Sequence, residues 1–117
     1  MEPLLLVGIG GAIGSLLRYQ LSRLQAVHGL PSGTMIVNIT GSFFIAVLTG
    51  MSLSTDLYAF IGIGILGGYT TFSTFGFETF RLIESRDYRI ASVNIIINVA
   101  GSLLAAYAGL KLVGLLM

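Results

Sequence analysis

Four apolar segments of about 20 residues or more fill almost all of this 117-residue chain. An α-helix rises about 1.5 Å per residue, so about 20 apolar residues cross the hydrocarbon core of a bilayer. The predicted fold is therefore an all-α membrane protein with four transmembrane helices, in which residues 1–117 form a single transmembrane domain. The segments run from about Pro3 to Ala26, from about Ser32 to Met51, from about Leu57 to Arg81 and from about Ile90 to Leu116.

The composition excludes several classes of function. Hydrophobic residues make up 55% of the chain, charged residues make up 9%, and cysteine is absent. The lack of cysteine excludes a disulfide framework, thiolate metal sites and cysteine nucleophiles. A net charge of +1 with scattered signs offers no basic patch for nucleic acid. Because we find no dinucleotide fingerprint, P-loop or metal-binding cluster, we predict that the protein is not an enzyme.

The arginines lie mainly beside the first and third connections. The positive-inside rule therefore predicts that these connections face the cytoplasm and that both termini face outward. The four segments predict a multi-pass membrane protein, and we expect it in the inner (plasma) membrane. The side with the first and third connections carries Arg18, Arg23, Arg81, Arg86 and Arg89, whereas the opposite side carries Lys111.

Small residues recur at four-residue spacing on two segments. Gly10 and Gly14 lie on the first segment, and Gly101, Ala105 and Gly109 lie on the fourth. Such spacing lets helix backbones approach closely in a bilayer. We interpret both rows as helix-packing surfaces without chemistry of their own.

Polar side chains also recur at helical spacing. Asn94, Asn98 and Ser102 share one face of the fourth segment, and Thr34 and Asn38 share one face of the second. A row of amides and hydroxyls without carboxylates can solvate an ion, but it supplies no general base and no cage for a hard cation. Hydrogen bonding between helices is the alternative explanation, and the spacing alone leaves both open.

The stretch GGYTTFSTFGFE at 67–78 predicts a break in the third helix. Glycine and β-branched threonine weaken a helix, and Gly67-Gly68 is followed by Thr70-Thr71. Non-helical backbone at this depth is tolerated only inside protein or beside a cavity, where freed carbonyls attract cations and freed N–H groups attract anions. A simple glycine kink, with hydroxyls bonded back to the preceding turn, remains the alternative.

Two phenylalanines follow the predicted break. Phe72 and Phe75 share a helical face, and an aromatic ring is electropositive at its edge, where it can meet an anion. Plain packing is the common explanation for such a pair. Their position beside Ser73 and Thr74 makes a role at an ion site the more specific hypothesis.

Together these motifs resemble the Fluc (CrcB-type) family of small fluoride channels across essentially the whole chain. The likeness rests on GGAIGSLLRY at 10–19, GTMIVNITGSF at 33–43, GGYTTFSTFGFE at 67–78 and a polar fourth helix. It implies subunits in the lipid bilayer that pair as an antiparallel, dual-topology homodimer with two narrow fluoride pores between them. The implied function is passive, electrogenic export of fluoride, which relieves fluoride toxicity.

The resemblance also implies roles for individual residues. Phe72 and Phe75 match phenylalanines whose edges line the pores, Asn38 matches an asparagine at a pore entrance, and Ser102 matches a serine of a polar track. Arg18 matches an arginine near an aqueous vestibule, where its charge draws anions inward. These matches, together with the polar rows and the residues beside the predicted break, predict a fluoride pathway that comprises Phe72, Phe75, Asn38, Ser102, Thr34, Asn98, Asn94, Ser73 and Thr74.

A sodium ion is implied in the same way. Gly67 and Thr70 match positions whose backbone carbonyls, one pair from each subunit, hold a structural sodium ion at the dimer centre. Glu78 matches an acidic residue whose role stays open. Two features depart from the family pattern: Gly76-Phe77 replaces an expected pair of small hydroxyl residues, and Asn94 and Asn98 replace tyrosine-like or serine-like groups.

Two other classes of protein were weighed against a channel. A proton-coupled small multidrug exporter has a similar length but needs a carboxylate within its first helix, and this chain has only Glu2 ahead of that helix. A non-transporting membrane scaffold would use the small-residue faces to recruit partner helices, but it has no need for the GGYTTFSTF break.

Overall fold

A computed structural model of the protein describes residues 2–23 and 29–117. Four helical spans in these ranges are long and apolar enough to cross a membrane, which confirms the predicted number. The predicted end of the first segment, at 24–26, lies outside the described residues. The spans are α1 (Pro3–Ser22), α2 (Ser32–Gly50), the third span (Thr55–Glu84) and α6 (Tyr88–Leu116).

The third span is interrupted near its middle, as the sequence predicted. Thr70 and Thr71 are extended, with ψ angles of 155° and 117°, and we call these two residues the break. The turns ahead of the break are already wide, because the N–H of Gly67 reaches the carbonyl of Gly62, five residues earlier. The third span thus consists of α3 (Thr55–Tyr58), a π-helical stretch (Ala59–Leu66), α4 (Gly67–Tyr69) and α5 (Phe72–Glu84).

The break lets the third span change its packing partner. Its first half, residues 55–69, lies against α1, whereas its second half, α5, lies against α6. The α2 helix packs mainly on α6 and also reaches α1 and the first half of the third span. The described chain forms a flat slab of 48 × 32 × 18 Å.

Close helix packing explains the glycine rows. A methyl group added at Gly14 would lie 2.9 Å from the Tyr69 backbone nitrogen, and one added at Gly109 would lie 2.6 Å from the Phe43 carbonyl oxygen. Both distances are too short for a carbon atom, so only glycine allows these backbones to approach. The predicted packing role of the small residues is confirmed at these two positions.

The third and fourth spans extend further than the apolar segments of the sequence suggested. The α5 helix continues to Glu84 and α6 begins at Tyr88, so only residues 85–87 connect them. Arg86 ends α5 with a φ of 61°, and its N–H bonds to the Ile83 carbonyl at 2.9 Å. Charged residues end an apolar segment but not a helix, because a helix emerging from the bilayer keeps its own hydrogen bonds.

Candidate functional site

The Asn38 side chain on α2 holds the backbone of the break. Its Oδ1 accepts from the Thr71 N–H at 2.8 Å, and its Nδ2 donates to the Thr71 carbonyl at 3.0 Å. This two-bond pairing satisfies the peptide groups that the interrupted helix leaves open, as a membrane interior requires. The structure therefore gives Asn38, which the sequence placed at a pore entrance, a direct role in the break as well.

Side chains also release the two carbonyls that the sequence singled out. In a continuous helix the N–H of Thr71 would bond to the Gly67 carbonyl, and the N–H of Thr74 would bond to the Thr70 carbonyl. Instead, Thr71 donates to Asn38 and Thr74 donates to the Thr71 hydroxyl at 3.1 Å. The oxygens of Gly67 and Thr70 therefore lack their usual helical donors.

A cavity of 370 Å³, which we call the ring cavity, opens beside the break. Its walls come from α2, the break, the start of α5 and the middle of α6. The structure thus brings together polar and aromatic groups that lie far apart in the sequence. Six residues that the sequence analysis singled out line it: Asn38, Thr70, Phe72, Phe75, Asn98 and Ser102.

Phe72 and Phe75 contact one another in the wall of this cavity. Their ring centroids lie 5.7 Å apart at an interplanar angle of 63°, an edge-to-face arrangement. Such a pair presents ring edges as well as faces to its surroundings. The predicted pairing of the two rings on one side of the helix is therefore present at a cavity wall.

Most hydroxyl and amide donors around the ring cavity already have acceptors. Asn38 Nδ2 also donates to Asn98 Oδ1 at 3.2 Å, the Ser42 hydroxyl donates to the Asn38 carbonyl at 2.7 Å, and the Thr70 hydroxyl donates to the Leu66 carbonyl at 3.1 Å. Within the described part of the chain, no hydrogen bond engages the Ser102 hydroxyl. Ser102 is thus a cavity-lining donor that remains available to a ligand.

Asn94 and Asn98 lie deeper than a pathway-lining role would suggest. Asn94 is 0% exposed and Asn98 is 4% exposed. Nδ2 of Asn98 donates to the carbonyl and to Oδ1 of Asn94, both at 3.0 Å. Of the two explanations that the spacing left open, hydrogen bonding between protein groups is the one visible in the described residues.

A second cavity of 230 Å³, which we call the arginine cavity, lies on the α1 side of the break. Arg18 lines it together with Thr34 and Thr74, two further residues that the sequence analysis named. Thr71 lines both cavities, so the break separates them. The guanidinium of Arg18 is always charged, and this charge makes the arginine cavity attractive to anions.

The remaining predicted residues surround Thr71 or follow it on α5. Ser73 is exposed, and its hydroxyl lies 3.3 Å from Thr71 Oγ1. Thr34 is buried and lines the arginine cavity. The Oε1 atom of Glu78 is buried and has no partner among the described residues, so the role of this carboxylate stays open.

Two residues that the sequence analysis did not select are central to the site. Thr71 is the N-cap of α5 and forms the wall between the two cavities. Thr79 is buried and accepts from Asn94 Nδ2 at 2.9 Å. The N-cap could have been found in the sequence, because a threonine directly before an apolar helical run favours that position. No comparable sequence pattern marks Thr79 as a hydrogen-bond partner of Asn94.

The chemistry of this site favours an anion over a metal cofactor. Ring edges, a free hydroxyl and a nearby guanidinium each present hydrogen atoms that carry positive charge, and these attract an anion. Among the described residues, no group of three or more histidine, aspartate or glutamate side chains could hold a metal ion. The groups that could bind a cation here are the carbonyl oxygens of Gly67 and Thr70, which lack their usual helical donors.

Comparisons with known proteins agree with this chemistry. Residues 5–110 match the family described as "CrcB-like protein, Camphor Resistance (CrcB)". A protein of Methanococcus aeolicus named "Fluoride-specific ion channel FluC" is 44% identical over 114 residues, covering 93% of this chain and 93% of its own. Proteins of the same name from Methanocaldococcus jannaschii (45% over 114 residues, 93% and 92% covered) and Shewanella baltica (42% over 120 residues, 97% of each covered) are also similar.

Proposed function

This chain belongs to the CrcB family, as its motifs predicted, and we propose that it is a fluoride-selective channel of the plasma membrane. The observation that carries the proposal is the ring cavity, which is lined by the edge-to-face rings of Phe72 and Phe75 and by Ser102 with its free hydroxyl. Export of fluoride through this path is passive and electrogenic, and it relieves fluoride toxicity.

The mechanism follows from the hydration of fluoride. Fluoride is small and tightly hydrated, so a pore has to replace its water molecules with donors met in sequence. Arg18 raises the local anion concentration at the arginine cavity. Hydroxyl groups around the break then donate to the ion as it passes Thr71, and Ser73 and Thr74 supply two of them. Phe72, Phe75 and Ser102 then supply edges and a hydroxyl in the ring cavity.

A second subunit is needed to complete the pore. Gly67, whose carbonyl lacks its usual helical donor, lies on the exposed surface of the subunit next to the exposed Phe72, so in a monomer this carbonyl would face lipid. A backbone carbonyl without a hydrogen-bond donor is costly against hydrocarbon. We propose an antiparallel, dual-topology homodimer that covers the break and forms two pores between its subunits.

The freed carbonyls suit a sodium ion at the centre of this dimer. Half-helix ends and unwound carbonyls bind sodium ions in other membrane proteins. Gly67 and Thr70 would contribute two oxygens from each subunit, and an ion with four such ligands would hold the two breaks together. The ion supplies structural stabilisation and does not permeate.

The two rival functions are less well supported. A proton-coupled multidrug exporter needs a carboxylate within its first span, and α1 (Pro3–Ser22) contains none. A scaffold function does not require the ring cavity, the arginine cavity or the broken span. A channel uses all three.

The experiment that tests the proposal is fluoride efflux from proteoliposomes. Purified protein is reconstituted with internal potassium fluoride, and external fluoride is followed with an electrode after valinomycin is added. Fluoride loss that requires the ionophore is expected, because charge must be balanced by potassium. Chloride-loaded vesicles should retain their anion, and protein-free vesicles should lose neither. Absence of fluoride loss from folded protein would overturn the proposal.

A further inference from the structure

Three asparagines and a threonine form a row of hydrogen bonds that crosses the subunit beside the break. Asn38 Nδ2 donates to Asn98 Oδ1 at 3.2 Å, and Asn98 Nδ2 donates to Asn94 Oδ1 at 3.0 Å. Asn94 Nδ2 then donates to Thr79 Oγ1 at 2.9 Å. We call Asn38, Asn98, Asn94 and Thr79 the amide relay. It links α2, α6 and α5. Thr79 lies at one end of the relay, and at the other end Asn38 bonds to the backbone of Thr71.

The direction of the relay is set at the Thr71 end. A backbone N–H can only donate, so the side-chain oxygen of Asn38 must face Thr71. The Asn38 nitrogen therefore faces Asn98, which must present its own oxygen, and the same reasoning fixes Asn94. The hydroxyl of Thr79 accepts the last bond, because a hydroxyl can serve as donor or acceptor. Each amide thus orients the next.

The donors of the relay are already hydrogen-bonded, although Asn38 and Asn98 line the ring cavity. Asn94, Asn98 and Thr79 are 0%, 4% and 8% exposed. Both N–H groups of Asn98 face acceptors on Asn94, and Asn38 Nδ2 faces acceptors on Thr71 and Asn98. An anion in the ring cavity could reach these donors only by displacing a buried hydrogen bond, which is costly.

We propose that Asn94, Asn98 and Thr79 are positioning residues, which act through Asn38 to hold the Thr71 backbone out of the helix. Without an oriented Asn38, the Thr71 N–H would lose its fixed acceptor and would alternate between Asn38, water and the Gly67 carbonyl, so the third span would lose its fixed break. The relay thus sets the shape of the ring cavity and keeps the Gly67 carbonyl free. Its consequence for conduction rests on the proposed channel function, whereas its consequence for Thr71 does not.

The test compares two backbone amides that lie three residues apart. The Thr71 N–H donates directly to Asn38 of the relay, whereas the Thr74 N–H donates to Thr71 Oγ1 and reports the N-cap of α5. Amide hydrogen exchange is measured by NMR on protein labelled with ¹⁵N-threonine in lipid nanodiscs. Fluoride efflux is measured on the same variants.

Asn98→Ala removes the centre of the relay and should accelerate exchange at Thr71 about tenfold, with little change at Thr74. Thr79→Val keeps the side-chain shape but removes the last acceptor, and it should accelerate Thr71 about threefold. If Asn98→Ala fails to fold, the proposal can still be tested with Thr79→Val. Ser102→Ala, one turn beyond Asn98, should leave the exchange of both amides unchanged.

Selective acceleration at Thr71 in the relay variants supports the proposal. Parallel acceleration at Thr71 and Thr74, as general destabilisation would cause, overturns it, and so does unchanged exchange at both. The efflux measurement separates this proposal from the channel hypothesis. If the unaltered protein conducts fluoride but the relay variants leave Thr71 exchange unchanged, only the relay proposal is refuted. Selective loosening of Thr71 in a protein that carries no fluoride refutes the channel alone.

Discussion

Phe72 is 82% exposed and Phe75 is 9% exposed, although their ring centroids lie only 5.7 Å apart. The two rings share one cavity wall but differ in what surrounds them. Phe75 packs within its own subunit, whereas Phe72 projects from the surface of the subunit. In the proposed dimer, Phe72 is therefore the ring that meets the partner subunit.

Replacement of Phe72 by isoleucine should reduce fluoride efflux at least about tenfold, while the fold of the subunit is retained. Isoleucine has no electropositive ring edge, and an exposed position tolerates the change in shape. The measurement is the initial rate of fluoride loss from proteoliposomes, with dimer content followed by chemical crosslinking. Phe75→Ile should reduce efflux similarly and should also destabilise the protein by about 1 kcal/mol, because Phe75 is buried.

The matched control for both variants is Phe80→Ile. Phe80 lies on the same helix and is 58% exposed, but it does not line the ring cavity. Its replacement should leave efflux within about twofold, as expected for a surface position. Equal efflux in all three variants and the unaltered protein would remove the ring edges from the mechanism.

Ser102→Ala should slow fluoride efflux about tenfold, because it removes the available hydroxyl of the ring cavity. Ser42→Ala is the matched control from the same cavity. The Ser42 hydroxyl donates to the Asn38 carbonyl at 2.7 Å, so its loss takes no free donor from the ion. Initial efflux rates at several fluoride concentrations measure the difference. A larger loss with Ser42→Ala than with Ser102→Ala would contradict the assignment of Ser102 as an ion-binding donor.

The sequence predicted the helical spans and the break because both depend on local chemistry. Apolar length marks a span, and Gly67-Gly68 with Thr70-Thr71 marks a weak point in a helix. The glycine packing at Gly14 was predictable for the same reason, since small residues at four-residue spacing are a local pattern. These features are encoded within one segment at a time.

The partners of the polar residues could not be predicted in this way. The spacing of Asn94 and Asn98 showed that they share a face, but it did not show that Thr79 of α5 lies opposite. Similarly, Asn38 and Thr71 lie 33 residues apart, and only the packing of α2 against the break brings them together. Contacts between helices depend on crossing geometry, which a single sequence does not specify.

Gly14→Ala should destabilise the protein by about 1–3 kcal/mol, because the added methyl group meets backbone that cannot move independently. The methyl would lie 2.9 Å from the Tyr69 nitrogen. Gly8→Ala on the same helix is the control, since among the described residues no atom outside the neighbouring turns of α1 lies within 4 Å of its added methyl. It should be neutral or stabilise by about 0.5 kcal/mol through helix propensity. Thermal unfolding in detergent measures both, and equal effects would contradict the close helix contact at Gly14.

Removal of sodium should lower the stability of the assembled protein. A ligand at 100 times its dissociation constant stabilises the folded state by about 2.7 kcal/mol. Thermal unfolding and crosslinked dimer are therefore compared in sodium and in N-methylglucamine at equal ionic strength. Potassium serves as the control for the choice of cation. Identical unfolding temperatures in all three salts would argue against a sodium site at the Gly67 and Thr70 carbonyls.

Arg86→Gly should stabilise the protein by about 1 kcal/mol, because Arg86 ends α5 in the left-handed conformation, which is costly for a residue with a Cβ atom. Its φ is 61°, and the N–H of Asp87 bonds to the Leu82 carbonyl at 2.8 Å, the pattern in which glycine is preferred. Arg86→Ala separates backbone from charge: it removes the guanidinium but keeps the Cβ atom, so it should give no comparable gain. Thermal unfolding of the three proteins decides the matter. If alanine stabilised as much as glycine, the gain would come from the lost charge beside Arg89, and the strained helix end would contribute little to the stability of the fold.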